Sequence, residues 1–139
     1  MKELYYAEKG KGAFLNNRRI HVSGQSTLEN GLFGTGFYYT KDEVILKKSL
    51  KQFFDVQRAS LGVRRPGAAS IDLAWTASGR YDAFWELGLN SWDMAAGVLL
   101  VSEAGGAVTK IDGSGFDLFG RNILASNRIL HDAMVNILK

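Results

Sequence analysis

The sequence predicts an α/β fold, in which helices cover a sheet, preceded by a β-hairpin. After residue 40, stretches with helical spacing of apolar residues alternate with short apolar runs, which is typical of α/β layering. Before residue 40, alternating apolar residues are separated by turns that contain glycine and asparagine, a pattern that indicates strands. We therefore expect residues 1–39 to form a hairpin and strand region and residues 40–139 to form an α/β domain.

The composition indicates a folded domain and excludes several kinds of chemistry. The chain of 139 residues has eight Phe, five Tyr and three Trp, enough for a core, and no Cys. The lack of Cys excludes disulfides, thiolate zinc sites and Cys nucleophiles. The net charge of +3 is scattered, so we expect a solvated surface and no nucleic-acid partner. No apolar run reaches the ~18 residues of a membrane helix, and no signal-peptide pattern is present, so we expect a cytoplasmic protein without membrane contact.

The first 39 residues have two turn signals and three apolar runs. Residues 4–7 and 13–15 flank a glycine-containing turn, Asn16 and Asn17 form a second turn, and residues 31–37 form a further strand. A lone hairpin is marginally stable in water. We therefore expect this region to belong to a central antiparallel sheet whose other strands lie outside this chain.

Periodicity places four helices and four strands after residue 40. The first helix is expected to bury Val44, Ile45, Leu50, Phe53 and Phe54. The second helix is expected to bury Ile71 and its apolar neighbours. The predicted helices are 41–54, 70–78, 91–104 and a last helix capped by Ser126 or Asn127. The predicted strands are 60–63, 81–87, 108–111 and 123–125.

The most informative segment is W-D-M-A-A-G, from Trp92 to Gly97, followed by E-A-G-G from Glu103. Ser91 is a suitable N-cap, which places Asp93 in the first helical turn, where the helix dipole stabilises a carboxylate. Such a carboxylate can extend past the helix end and bind a divalent cation. The small residues after it permit close approach of another backbone or of a substrate. The alternative interpretation is a simple first-turn acid.

This segment resembles the second signature of the inositol monophosphatase family. Residues 3–22 resemble the family's central hairpin, residues 35–37 its T-G-F segment, and residues 64–88 the run that leads into the Trp-Asp motif, especially in bacterial members. The resemblance covers nearly the whole chain. It implies the C-terminal part of the layered αβαβα sugar phosphatase fold. It also implies Mg²⁺-dependent hydrolysis of a phosphate monoester of inositol or a related polyol or sugar, by a homo-oligomer.

The resemblance also implies roles for individual residues. Asp93 would be a metal ligand and the partner of the attacking water, and Glu86 would accept hydrogen bonds from substrate hydroxyls. Gly67, Ala68 and Ala69 would bring the backbone close to the sugar ring. The residues alone leave other interpretations open, namely a solvent-facing strand-end acid at Glu86 and a crowded helix start at 67–69.

The family's first signature, D-P-[LI]-D-G-T, is missing from this sequence. The single proline, Pro66, follows Arg65, and Asp112-Gly113 is better interpreted as a turn. One carboxylate is too few for tight magnesium binding, so we expect the chain alone to be inactive. It could pair with a separate N-terminal half, or it could be a non-catalytic interaction protein. The substrate stays open among inositol phosphate, fructose bisphosphate, histidinol phosphate and phosphoadenosine phosphate.

Overall fold

The computed structural model describes residues 2–139 and confirms the predicted α/β class. Met1, the first residue of the expected 1–39 region, lies outside the described residues. In chain order the elements are β1 (Tyr5–Glu8), β2 (Gly12–Leu15), β3 (Arg18–Ile20), β4 (Leu32–Thr35), α1 (Glu43–Ala59), β5 (Gly62–Arg64), α2 (Ala69–Ala77), β6 (Ala83–Leu87), α3 (Ser91–Glu103), β7 (Ala107–Thr109), β8 (Asn122–Ser126) and α4 (His131–Ile137). Within residues 2–139, no helix has both the length and the apolar character that crossing a membrane requires.

The predicted hairpin is confirmed and extends to a third strand. Strands β1, β2 and β3 form a three-stranded antiparallel sheet with β2 in the centre. The turn between β2 and β3 has positive φ at both Asn16 (47°) and Asn17 (66°). Asparagine adopts this conformation more readily than most residues, and two such residues match the right-handed twist of paired strands.

Strand β4 lies in the second sheet and not with the hairpin. It pairs in parallel with both β5 and β6, within a five-stranded sheet of order β5-β4-β6-β8-β7. Phe33, Gly34 and Thr35 are all buried, which is typical of an interior strand covered on both faces. The strand expected in the 1–39 region therefore belongs with the elements that follow residue 40. Membership of the hairpin in a larger antiparallel sheet stays a prediction.

The five-stranded sheet is covered on both faces. Along β6 and β8 the side chains alternate: Phe84 and Ile123 pack against α2 and α3, while Trp85 and Leu124 pack in the core formed with α1 and α4. Helix α3 also contacts β1 and β2 on its other side. The resulting order of layers is three-stranded sheet, α2 and α3, five-stranded sheet, α1 and α4. These are four consecutive layers of the expected αβαβα arrangement.

The apolar stripe predicted for α1 is wrong. The helix continues five residues beyond the predicted end, to Ala59, and three residues of the predicted stripe are exposed: Val44, Leu50 and Phe54. Its buried residues are Ser49, Gln52 and Val56. A polar residue can be buried here because Gln52 Nε2 donates a 2.7 Å hydrogen bond to the carbonyl of Leu138.

Two predicted helix caps are displaced. The N-cap of α3 is Asn90 instead of Ser91, which makes Asp93 the third residue of the helix. The N-cap of α4 is Leu130 instead of Ser126 or Asn127. Asn127 still acts at this helix start, because its Oδ1 accepts a 3.0 Å hydrogen bond from the amide of Leu130.

A buried carboxylate ties the segment before β4 to β6. Asp82, directly before β6, accepts hydrogen bonds from Ser23 Oγ at 2.5 Å and from the amide of Leu32 at 2.7 Å. Asn127 Nδ2 donates to the same Ser23 oxygen at 2.9 Å. This network joins the chain after β3 to the starts of β4 and β6 and to the end of β8.

Replacing this carboxylate should destabilise the fold. Asp82→Ala leaves the Ser23 hydroxyl and the Leu32 amide without their acceptor, so we expect a loss of ~1–3 kcal/mol or more in the free energy of unfolding. Lys47→Ala, which removes an exposed pair with Glu43, is the control and should cost only ~0.5 kcal/mol. Urea unfolding followed by circular dichroism measures both. Equal losses in the two variants would contradict this role of Asp82.

His131 is buried between two hydroxyl groups at the start of α4. Its Nδ1 lies 2.6 Å from Ser126 Oγ and its Nε2 lies 2.9 Å from Thr109 Oγ1. Burial lowers the pKa of His131 below its ordinary value of 6.5, while the negative charge of Asp132 opposes this shift and the positive charge of Arg128 reinforces it. The contacts connect α4 to β7 and β8 through a neutral imidazole.

His131 should therefore make a contribution to stability that is lost on acidification. Since the pKa of His131 is lower in the folded state than the ordinary 6.5, the unfolded chain takes up the proton first, and the contribution of His131 to the free energy of unfolding falls as pH decreases through that value. Compared with the parent, His131→Gln should therefore gain relative stability as pH falls, whereas His21→Gln at an exposed position should follow the parent. Urea midpoints measured between about pH 8 and about pH 5 test this. Parallel profiles for His131→Gln and the parent would disprove it.

Candidate functional site

The predicted site residues lie on elements that meet at one edge of the five-stranded sheet. Strands β5, β4 and β6 run parallel, so their carboxyl ends share an edge, which is the usual ligand-binding edge of an α/β sheet. The loop after β5 carries Gly67 and Ala68 and leads into α2 at Ala69. Strand β6 ends with Glu86 and Leu87 and leads into α3, which carries Asp93.

Asp93 forms part of the N-terminal cap of α3. Its Oδ2 accepts a 2.9 Å hydrogen bond from the amide of Asn90. Within the described chain, the other carboxylate oxygen makes no hydrogen bond. The alternative interpretation, in which Asp93 is a simple acid in the first turn of the helix, therefore accounts for one carboxylate oxygen. The second oxygen remains available to a ligand.

Glu86 is half-buried, and Gly36 makes room for its carboxyl group. A Cβ atom at Gly36, just after β4, would overlap the Glu86 carboxylate, so only glycine permits this approach. Burial raises the pKa of Glu86 from 4.5 to about 7; the negative charges of Asp72 and Asp93 add to the rise, and Arg65 opposes it. Glu86 is therefore not the freely solvated acid of the alternative interpretation.

Asp72 is an acid of this site that the sequence interpretation missed. It lies in α2, is 1% exposed, and its Oδ1 has no hydrogen-bond partner among residues 2–139. Burial raises its pKa from 3.8 to about 7, with Arg65 opposing the shift. We predicted Ile71 for the buried face, but Ile71 is 45% exposed. A signal was available, because Asp72 lies three residues after Ala69 and four before Thr76, two buried positions on one helix face.

Arg65 connects the α2 loop to these acids. A Cβ atom at Gly67, whose φ is 93°, would lie 3.1 Å from Arg65 Nη1, so the arginine side chain folds over this glycine. The charge of Arg65 acts on both Asp72 and Glu86. Ala68, the N-cap of α2, provides no side-chain acceptor for the first amides of the helix. These amides and the guanidinium are donors that suit an anionic group.

The sequence profile of the inositol monophosphatase family matches residues 1–139. The chain belongs to this family. It is 46% identical over 139 residues to the Nus factor SuhB of Pseudomonas aeruginosa, a match that covers 99% of this chain and 51% of the relative. It is also 46% identical to an inositol-1-monophosphatase of Caulobacter vibrioides, with 99% and 54% covered.

Solved structures of the inositol monophosphatase family share the fold. The extragenic suppressor protein SuhB of Bartonella henselae superposes with a TM-score of 0.92 at 41% identity, covering 99% of this chain and 52% of that one. The inositol monophosphatase of Anabaena superposes with a TM-score of 0.87 at 38% identity. The chain spans about half the length of the relatives that it matches.

The small residues after the Trp-Asp pair of the family signature bring α2 and α3 together. A Cβ atom at Gly97 would overlap the side chain of Leu73 in α2. The sequence predicted that another backbone or a substrate could approach the small residues after Asp93 closely, and at Gly97 the approaching segment is helix α2. Because the two helices are in direct contact at this point, the position of Asp93 on α3 is fixed relative to Asp72 on α2.

The described residues do not form a complete magnesium site. Magnesium prefers about six oxygen ligands in a near-octahedral arrangement. Within residues 2–139, no group of three or more Asp, Glu, His or Cys side chains is placed to hold a metal ion. The chain itself offers the free oxygen of Asp93, while Asp72 is enclosed in the protein. The ligand set expected for this family is therefore not met by these residues alone.

Removing the Asp72 charge should stabilise the protein above neutral pH. Folding raises the pKa of Asp72 from 3.8 to about 7. Asp72 therefore does not reduce the free energy of unfolding below pH 3.8, and it reduces that free energy progressively as pH rises towards 7. Asp72→Asn cannot ionise, so we expect its free energy of unfolding to exceed that of the parent by ~1–3 kcal/mol at alkaline pH. The gain should shrink as pH falls towards 3.8. Urea unfolding across this range tests the claim, and a variant less stable than the parent at alkaline pH would contradict it.

Proposed function

We propose that this chain contributes the substrate-binding half and one metal ligand of a Mg²⁺-dependent phosphatase. The substrate would be a phosphate monoester of inositol or of a related polyol or sugar. The observation that carries the proposal is the meeting of Glu86, Asp93 and the uncapped start of α2 at the carboxyl edge of three parallel strands. A relative with 46% identity, named inositol-1-monophosphatase, supports the same substrate class.

The arrangement suits a ligand with both an anionic group and hydroxyl groups. The free amides at the start of α2, beside the Gly67 loop, can donate to anionic oxygens. Glu86 in its ionised form can accept hydrogen bonds from hydroxyls of the ring. Its pKa of about 7 means that the accepting form predominates only above neutral pH. Gly67, Ala68 and Ala69 would leave space for the ring.

Magnesium is the proposed cofactor, with Asp93 as its ligand from this chain. The described residues lack a complete ligand set, so the other carboxylates would come from a polypeptide equivalent to the remaining half of the relatives. The lack of cysteine fits a reducing compartment, and we place the activity in the cytoplasm.

The open face of the three-stranded sheet supports pairing with another polypeptide. Helix α3 covers one face of this sheet. On the strands, Tyr6 and Phe14 stack with ring centroids 5.2 Å apart, and Tyr6 remains 40% exposed. Leu4 beside them is 65% exposed. An apolar sheet face with unpaired edges favours association, either with a separate N-terminal half or with further copies of the chain.

A non-catalytic interaction protein is the second candidate. The incomplete metal-ligand set favours it, and one relative of 46% identity is named a Nus factor. The two functions differ in a measurable way, because only the first predicts phosphatase activity once the missing ligands are supplied.

The chain alone should not hydrolyse inositol monophosphate at a rate above background. Addition of the N-terminal half of a relative should restore Mg²⁺-dependent phosphate release, because it supplies the missing carboxylates. The assay is phosphate release with excess magnesium, with the N-terminal half alone as the control. Turnover by the pure chain would disprove the half-enzyme claim. Stable pairing without turnover would favour the interaction protein.

Asp93 and Glu86 should differ in their effects on the reconstituted activity. Asp93→Asn removes the charge that binds magnesium, so we expect kcat to fall by about 10²–10³-fold and the magnesium requirement to rise. Glu86→Gln should act mainly on KM or on substrate preference. The measurement is a magnesium titration of both variants, with folding checked by circular dichroism. If Asp93→Asn kept the parental kcat and magnesium dependence, its role as a metal ligand would be wrong.

A further inference from the structure

An open groove lies on the face of β6 opposite Glu86, between the N-terminal half of α1 and the start of β8. It has a volume of about 490 Å³. Side chains alternate along a strand, so Leu87 lines this groove while Glu86 faces the candidate site. The remaining apolar wall consists of Tyr38 and of two residues in the first turn of α1, Val44 and Ile45. The groove thus has the size and the apolar lining of a small-molecule site, and it is separate from the candidate site.

Two cations stand on opposite walls of this groove. Lys48 lies on α1, and Arg121 directly precedes β8. Among the residues that the structure describes, no acidic side chain lines the groove. An adjoining groove of about 250 Å³ shares Lys48 and adds Lys139 together with one acid, Asp112, so cations outnumber acids there as well. The apolar walls strengthen the attraction of an anion to the two cations, because they lower the local dielectric constant.

Arg121 is oriented by the protein itself. Its guanidinium lies 5.3 Å from the ring centroid of Tyr38, and its Nη2 donates a 3.0 Å hydrogen bond to the carbonyl of Gly88. Its own carbonyl accepts a 2.6 Å hydrogen bond from the Gly88 amide. A Cβ atom at Gly88, whose φ is 85°, would overlap the Tyr38 ring, so glycine lets Tyr38 pack directly on this loop. Most N–H donors of the guanidinium remain free for a ligand, and little side-chain freedom is lost when they bind.

We propose that this groove binds a small molecule that carries one anionic group, a phosphate or a carboxylate, on an apolar body. The anionic group would lie between Lys48 and Arg121, since an ammonium and a guanidinium provide charge-assisted hydrogen bonds to its oxygens. The apolar body would cover Ile45 and Leu87 and remove their exposed surface from water. Because the sheet lies between the groove and Glu86, this ligand would bind independently of any ligand at the candidate active site.

Titration of the 139-residue chain with small probes, followed by NMR shifts of backbone amides, tests the proposal without catalysis. Phenylphosphonate and benzoate have both features of the ligand, inorganic phosphate lacks the apolar body, and benzyl alcohol lacks the charge. We expect phenylphosphonate to bind about tenfold more tightly than inorganic phosphate or benzyl alcohol, and to shift the amides of Gly88 and Arg121. Benzoate separates the two anionic groups: equal affinity would assign the groove to carboxylates as well, and weaker binding would assign it to phosphate groups.

Two variants remove the groove cations one at a time. Lys48→Gln changes an exposed helix position, and Arg121→Asn introduces a residue that tolerates the positive φ of 56° at this position. Each should weaken the binding of phenylphosphonate about tenfold. Lys47→Gln is the matched control on the same helix, because Lys47 pairs with Glu43 at 2.8 Å and does not line the groove. It should bind phenylphosphonate like the parent.

Three outcomes would overturn the proposal. Parental affinity for phenylphosphonate in both Lys48→Gln and Arg121→Asn would exclude the two cations as its partners. Inorganic phosphate or benzyl alcohol that binds as tightly as phenylphosphonate would exclude the assigned class of ligand. Amide shifts confined to Gly67 and Ala68 would place the probe at the candidate active site instead of the groove.

Discussion

Strand β6 is buried on both faces, and its register determines where the rest of the structure lies. It pairs in parallel with β4 and antiparallel with β8, and Phe84 and Trp85 face opposite layers of helices. Asp82 precedes this strand and fixes the segment before β4, while Glu86 near its end faces the candidate site. A slip of one residue would exchange the two faces of the strand. It would place Trp85 against α2 and α3 and turn Glu86 to the face that α1 and α4 cover.

The same packing creates the electrostatic character of the site. Asp72 and Glu86 are enclosed by elements that pack for apolar reasons, and both carboxyl groups have pKa values of about 7 as a result. Burying an unpartnered carboxylate oxygen opposes folding. Perturbed acids in a cleft are common at functional sites, because binding and catalysis use groups whose charge can change near neutral pH. The three-stranded sheet joins this core through α3, and Tyr6 on its outer face is 40% exposed.

Local signals in the sequence predicted most of the fold. The Asn16-Asn17 turn, the helices predicted at 70–78 and 91–104 and the strand predicted within 81–87 each depend on nearby residues, and each prediction is confirmed. The α1 stripe could not be predicted, since Gln52 is buried by a hydrogen bond to Leu138 that the sequence does not reveal. The sheet of β4 depends on its pairing with β5 and β6, which come later in the chain.

The candidate site was predictable in part. Asp93 could be named because it matches a family signature. Gly67, Ala68, Ala69 and Glu86 could be named because residues 64–88 resemble the run that leads into that signature, and the structure places all five residues at one edge of the sheet. Their roles in binding and catalysis stay predictions. Asp72 was missed, although its spacing from Ala69 and Thr76 places it on the buried face of α2. Gly36 adjoins Glu86, and the charge of Arg65 acts on Glu86, in both cases across a long stretch of sequence, so no local pattern identifies them.

The titration of the Glu86 carboxyl group tests most directly whether these elements form one site. Its side-chain carbon resonance can be followed by NMR as a function of pH in the parent and in Asp93→Asn. The structure predicts a pKa of about 7 in the parent, raised by burial and by the charges of Asp72 and Asp93. It also predicts a lower pKa in the variant, because one neighbouring negative charge is removed. A parental pKa near the ordinary 4.5, unchanged by Asp93→Asn, would contradict the assembled site.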